Sequence, residues 1–148
     1  MTDPTAGGPV VVDTNVFGAR MVPESRARLG SLYGPHLVGR SIVLAYQTVA
    51  ELRYWALKAG WGEKNRQRME HHIRQVAVVR VDDRLAWTYA ELKDRCVRSG
   101  HALGQKPHDG DRWIAATAIR YEIPLISHDG VFQDVPGLSL ITELKDGA

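Results

Sequence analysis

Four acids stand where short apolar runs end or where the next helices begin: Asp13 in VVVDTNVF, Glu51 in QTVAEL, Asp111 in GDRWIAATA and Asp129 in ISHDGVF. In an open α/β sheet the ligand crevice lies outside the carboxyl ends of the strands, so acids scattered along the chain converge there in space. Carboxylates crowded in a low-dielectric crevice repel one another, and a bound cation is the simplest remedy that leaves them ionised. An all-oxygen donor set, with no His or Cys at matching positions, suits Mg²⁺ or Mn²⁺ better than zinc. Such an ion lowers the pKa of a bound water and neutralises charge building on a phosphate, the two requirements of phosphodiester hydrolysis. Asp13 and Asp111 are expected as primary ligands, with Glu51 and Asp129 as second ligands or water-orienting groups.

Each acid also has a plainer role. Asp13 can cap the helix after it, and Glu51 can be the reciprocal acid of a capping box opened by Thr48. Asp111 suits the positive end of a helix dipole, and Asp129 opens an Asp-Gly turn. Asp109, as a loop acid, and Asp94, as a solvent-facing helix residue, rank behind the four.

The elements that must position these acids follow from hydrophobic period. PVVVD is a short β-branched run ending in a polar turn, the pattern of a central strand buried on both faces. A short helix over 24–32 is expected to break at Gly34 and Pro35, and SIVLAY from Ser41 reads as a second strand. Thr48 caps the next helix, whose Val49, Leu52, Ala56 and Ala59 trace one stripe before Gly60 closes it. Residues 62–75 form a polar surface helix with Met69 and Ile73 inward. AVVRV gives a third strand, and Asp82 and Asp83 cap a helix over 84–99 with Leu85, Tyr89, Leu92 and Cys96 in register, ended by Gly100. HALGQKPHDG reads as a loop delivering Asp111 to the first turn of an alanine-rich helix that runs to about Tyr121. IPLIS is a fourth strand and GLSLI an edge strand. Strands alternating with helices imply an α/β fold, a parallel sheet of four to five strands with helices on both faces.

At 148 residues the chain fits one domain, taken as 9–144 between tails 1–8 and 145–148. A lone cysteine, Cys96, argues against a disulfide framework and a thiolate metal cluster. The opening MTDPTAGG cannot serve as a signal peptide, and no apolar run has membrane length, so a cytoplasmic setting without membrane contact is expected. Net charge is +2, with 19 basic and 17 acidic residues; setting the four acids aside leaves a surplus of six positive charges. That surplus favours an anionic partner, and its arginines and lysines cluster around Arg20, Arg26, Arg28 and Arg40, around Lys64, Arg66 and Arg68, and around Arg95, Arg98 and Lys106. Most are expected to be solvated faces, with two of the clusters as candidates for phosphate.

VVVDTNVF, TVAEL and DRWIAATAIRYEIPLISHD before a closing phenylalanine, in that order over nearly the whole chain, resemble PIN-domain ribonucleases, especially VapC toxins of bacterial toxin-antitoxin pairs. The resemblance implies that Asp13, Glu51, Asp111 and Asp129 form a metal-binding quartet and that Asn15 and Ser127 hold it by hydrogen bonds. It implies endonucleolytic cleavage of RNA leaving a 3′-hydroxyl, a homodimer, and a cognate VapB-like antitoxin whose extended tail lies in a groove reaching the acids. Gly110 departs from the pattern, which often has Asn before the third acid. Trp55 and Trp61 flank a helix end and can line such a groove, although tryptophans more often anchor cores. His101 and His108 lie near Asp111 in a loop able to meet RNA bases, and His128 adjoins Asp129, where surface placement without function is the simpler reading. A catalytically silent metal-binding module acting as a scaffold is the alternative.

Overall fold

The computed structural model describes residues 7–21 and 23–145. The expected tails lie almost wholly outside these residues, as does the side chain of Arg26. Five parallel strands, β1 (Val10–Val12), β2 (Ile42–Ala45), β3 (Ala77–Val79), β4 (Leu125–Ile126) and β5 (Leu140–Ile141), form one sheet in the order β3-β2-β1-β4-β5. The expected α/β architecture is present, with β1 at its centre. Val10 and Val12 face one layer and Val11 the other, as the two-residue period of a strand requires.

The helices are α1 (Thr14–Gly18), α2 (Pro23–Leu37), α3 (Tyr46–Lys58), α4 (Glu63–Arg74), α5 (Asp83–Ser99) and α6 (Asp109–Tyr121). One core joins β1 to α5 and α6 through Val11, Leu92, Cys96, Leu103 and Ile114. On the opposite face Val10 and Val12 pack with Phe17, Tyr33, Leu52, Met69 and Ile73 from α1–α4. Among the described residues no helix is long and apolar enough to cross a membrane.

Two local expectations are overturned. α2 does not stop before Gly34; it runs through Pro35 to Leu37. The missing Pro35 N–H would have served the carbonyl of Ser31, which is solvent-exposed, and the buried Tyr33 gives this last turn a tertiary anchor. Thr48 is not the cap of α3. That helix begins directly after β2 at Tyr46, with Ala45 as an N-cap that offers no side-chain acceptor, so Thr48 falls in the first turn and is fully buried. Asp82 caps α5 as expected, accepting from the Leu85 amide at 2.8 Å, and Gly100 ends that helix at φ 72°. The 101–108 stretch is two 3-10 turns rather than featureless loop.

Candidate active site

Asp13, Glu51, Asp111 and Asp129 come together. They line one cavity of about 210 Å³ with Thr14, Asn15, Trp55 and Ile114. The cavity lies at the carboxyl ends of β1 and β4, where β1 hands the chain to α1 and β4 to the turn at Asp129. β1 connects outward to β2 on one side, and β4 lies on the other, so the acids sit where strand order reverses.

Asp13 is 4% exposed. Its Oδ1 accepts from the Val16 amide at 3.1 Å, capping α1, and its Oδ2 accepts from the Ser127 hydroxyl. Burial pushes its pKa above the ordinary 3.8; the Ser127 and Val16 donors oppose this, and the charges of Asp129 and Asp111 add to it. Capping and site placement are thus both realised in one side chain. Ser127 Oγ also accepts from the Asp129 amide at 3.0 Å, so one buried hydroxyl links the first acid to the backbone of the fourth. Asp129 Oδ1 in turn accepts from the Val131 amide at 3.0 Å, and the residue is exposed.

Glu51 stands in the second turn of α3. The Thr14 hydroxyl lies 2.5 Å from its Oε1 and 3.1 Å from Thr48 Oγ1, tying α1 to α3 beneath the cavity. Glu51 therefore meets Thr14 rather than closing a capping box with Thr48. Asp111 occupies the first turn of α6 and meets His108 Nδ1 at 2.9 Å. Burial raises its pKa; His108 opposes this, Asp129 adds to it, and Arg112 lowers it. Asn15 is exposed on the cavity wall.

The donor set fits a hard divalent cation. All four acids offer oxygen, and two are held above their ordinary pKa by burial and by one another, a penalty that a cation relieves. Among the described residues no three His, Cys, Asp or Glu side chains close around a single point.

A match to the PIN domain family extends over residues 10–138. The chain belongs to the PIN-domain family. It is 30% identical to Ribonuclease VapC5 of Mycobacterium tuberculosis (strain ATCC 25618 / H37Rv) over 146 residues, covering 97% of this chain and 98% of that one. VapBC2 from Rickettsia felis, solved bound to a DNA fragment from its promoter, shares the fold at TM-score 0.70 and 21% identity, over 90% of this chain and 97% of that one. The VapBC-5 structure from Mycobacterium tuberculosis superposes at TM-score 0.62 and 24% identity, over 92% and 98%. The relatives identify this PIN domain as VapC-type.

Around this PIN-domain cavity the remaining polar residues divide. His128 is not among the residues lining the cavity; its Nδ1 lies 2.6 Å from the Tyr33 hydroxyl. His101 caps the first 3-10 turn and meets the Gln133 carbonyl at 2.7 Å. Of the three histidines only His108 reaches an acid. Asp109 bonds Tyr89 and Arg112 instead of lining the cavity, and Asp94 pairs with Arg98 on the surface of α5. A Cβ on Gly110 would come within 2.8 Å of Gln47 Nε2 and 3.3 Å of Glu51 Oε2, so the glycine leaves room for α3 to approach.

Sequence reasoning passed over two contributors. Thr14 was legible only as a helix-start residue, and its bond to Glu51 joins positions 37 apart that no local pattern links. Arg112 is 2% exposed on α6 and donates to the carbonyls of Leu103 at 2.9 Å and Gln105 at 2.6 Å, gripping the turns that present His108.

Proposed function

We propose that this PIN domain is a Mg²⁺- or Mn²⁺-dependent endoribonuclease and the toxin of a VapBC-type pair, working in the cytoplasm. The observation that carries the reading is the convergence of Asp13, Glu51, Asp111 and Asp129 on one cavity in a chain 30% identical to a ribonuclease of the same length. Asp13 and Asp111, the two acids that burial holds above their ordinary pKa, would hold the metal, with Glu51 and Asp129 as further ligands or water-orienting groups. When bound, the metal supplies an activated water and charge neutralisation at the scissile phosphate.

The chain's own residues do the positioning. Ser127 fixes Asp13 and the Asp129 backbone at one spacing, and Thr14 fixes the height of Glu51 over β1. Trp55 and Ile114 cover the cavity walls with apolar surface, which strengthens every charge interaction inside. His108 beside Asp111 is placed to meet a phosphate oxygen or leaving group that enters there. With O3′ as the leaving group, attack by water at phosphorus breaks the P–O3′ bond and yields a 3′-hydroxyl and a 5′-phosphate.

The solved relatives are VapB–VapC assemblies, which supports a VapB-like antitoxin as partner, with a homodimer of the toxin as the expected core. The test is incubation of purified protein, freed of any co-purifying partner, with total cellular RNA and Mg²⁺ or Mn²⁺, mapping new 5′ ends against Asp13→Asn. Discrete metal-dependent cuts that vanish in the variant support the reading and name the RNA. Equal cleavage by the variant refutes the mechanism. No cleavage by either protein, with metal binding intact, leaves the catalytically silent scaffold.

A further inference from the structure

The acid cavity opens beside a cationic face that catalysis does not use. Trp55 lines the cavity and packs against Gly18 so closely that a Cβ there would lie 2.5 Å from its ring. One turn further, the Met21 amide bonds the Gly18 carbonyl at 2.9 Å, and Met21 lines a second recess with Trp61, Asn65, Arg68 and Met69. A continuous wall therefore runs from the acids past α1 to the start of α4.

Beyond the acids it carries cations. Arg20 lies over the Phe17 ring at 5.5 Å and lines the neighbouring hollow with Leu29 and Tyr33, and desolvation lowers its pKa. Burial lowers the pKa of His72, and the charges of Arg20 and Arg68 add to the lowering, so both guanidiniums lie near that ring. Among the described residues neither Arg20 nor Arg68 has an ion pair. The nearest acid on α4 after Met69, Glu70, is already held by Arg53 at 3.0 and 3.2 Å. Crowded cations without counter-charges are unfavourable alone and favourable around an anion. Beside them the half-buried Trp61 ring faces the recess, backed by a bond from its own amide to the Ala56 carbonyl at 2.9 Å.

We propose that Arg20, Arg68 and Trp61 form a second RNA subsite, where the two guanidiniums hold phosphates of the strand leaving the acid cavity and Trp61 offers a face to one base. The occupant is single-stranded RNA because alternating anions and flat bases match alternating cations and one ring. From Glu51 to Ala56 the rise along α3 is about 8 Å. At about 3.4 Å of axial rise per nucleotide in a stacked strand, the separation is roughly two nucleotides. This subsite rests on the ribonuclease reading and extends it by saying where the neighbouring nucleotides lie.

The experiment uses the full chain carrying Asp13→Asn, which binds without cutting, and a fluorescein-labelled random-sequence 12-nucleotide RNA followed by anisotropy across salt concentrations. Adding Arg20→Gln and Arg68→Gln is expected to weaken binding and to lower the slope of log K against log salt by about 1.4, two phosphates at about 0.7 each. Adding Trp61→Leu is expected to weaken binding about tenfold with the slope unchanged. Arg98→Gln, on α5, serves as control, and thermal melts check that every variant is folded. Unchanged affinity and slope in the arginine and tryptophan variants would overturn the subsite, including the case where they lose an antitoxin instead, which would assign the face to protein. Failure of the parent to bind RNA at all would sink the ribonuclease reading itself, a different result from unchanged variants of a binding parent.

Discussion

Ser127→Ala isolates the most exacting contact in the site. Ser127 is fully buried, and its hydroxyl donates to the buried Asp13 carboxylate. Its second bond, accepted from the Asp129 amide, serves an exposed residue whose N–H can turn to water instead. The loss is therefore dominated by one hydrogen bond to a charged group, about 1.5–3 kcal/mol. For a chain of this size that lowers Tm by roughly 3–12 °C.

The pH dependence carries the sign. Asp13 has a pKa raised above 3.8, so the stability contributed by its protonated form is complete below that value and is lost as pH rises through the folded pKa. Ser127 opposes the rise, and removing it extends the losing range further upward. The difference between wild type and Ser127→Ala should thus be largest at neutral pH, where the carboxylate is charged. It should shrink to about 0.5–1.5 kcal/mol at acid pH, where only a neutral hydrogen bond is missing. Thermal unfolding in chelator from pH 4 to 8 measures it, and repeating the pair in an Asp13→Asn background should give the smaller value throughout. A deficit of equal size at both ends of the range would show that the hydroxyl matters for packing and not for the charge.

Further outcomes follow from other contacts. Mg²⁺ at about a hundred times its Kd should stabilise metal-free wild type by about 2.7 kcal/mol, and Asp111→Asn should reduce that gain in a melting titration. Gly18→Ala should cost about 1–3 kcal/mol by urea unfolding and reduce cleavage, because the new methyl drives the Trp55 ring toward the acids. Arg112→Met should cost about 1.5–3 kcal/mol and speed amide exchange across 101–108, since the Leu103 and Gln105 carbonyls lose their charged donor.

The sheet was legible because its central strand is unambiguous: three valines between a proline and an acid can only be a short buried strand, and the strands beside it follow from alternation. Asp13, Glu51 and Asp129 were legible for the same reason, since each directly follows or closely trails a strand, whereas Asp111 was read from the start of its alanine-rich helix. What could not be read depends on contacts between distant segments. Pro35 lies inside α2 because Tyr33 anchors the turn from within the core, and no local rule reports that. Thr48 looked like a cap because capping is a local pattern, whereas the helix starts earlier, where β2 turns directly into α3. His128 lies next to Asp129 in sequence yet meets the Tyr33 hydroxyl instead of lining the acid cavity.

Tyr33 gives the molecule a mechanical property of its own. Its hydroxyl accepts from the Glu143 amide at 2.9 Å and lies 3.2 Å from the Ser127 carbonyl, so α2, the end of β4 and the segment after β5 meet at one oxygen. The same Ser127 presents its side chain to Asp13. Force applied to α2 from outside has a lever arm of one residue to the acids: pulling Tyr33 outward drags the Ser127 backbone, and with it the hydroxyl that steadies the first carboxylate.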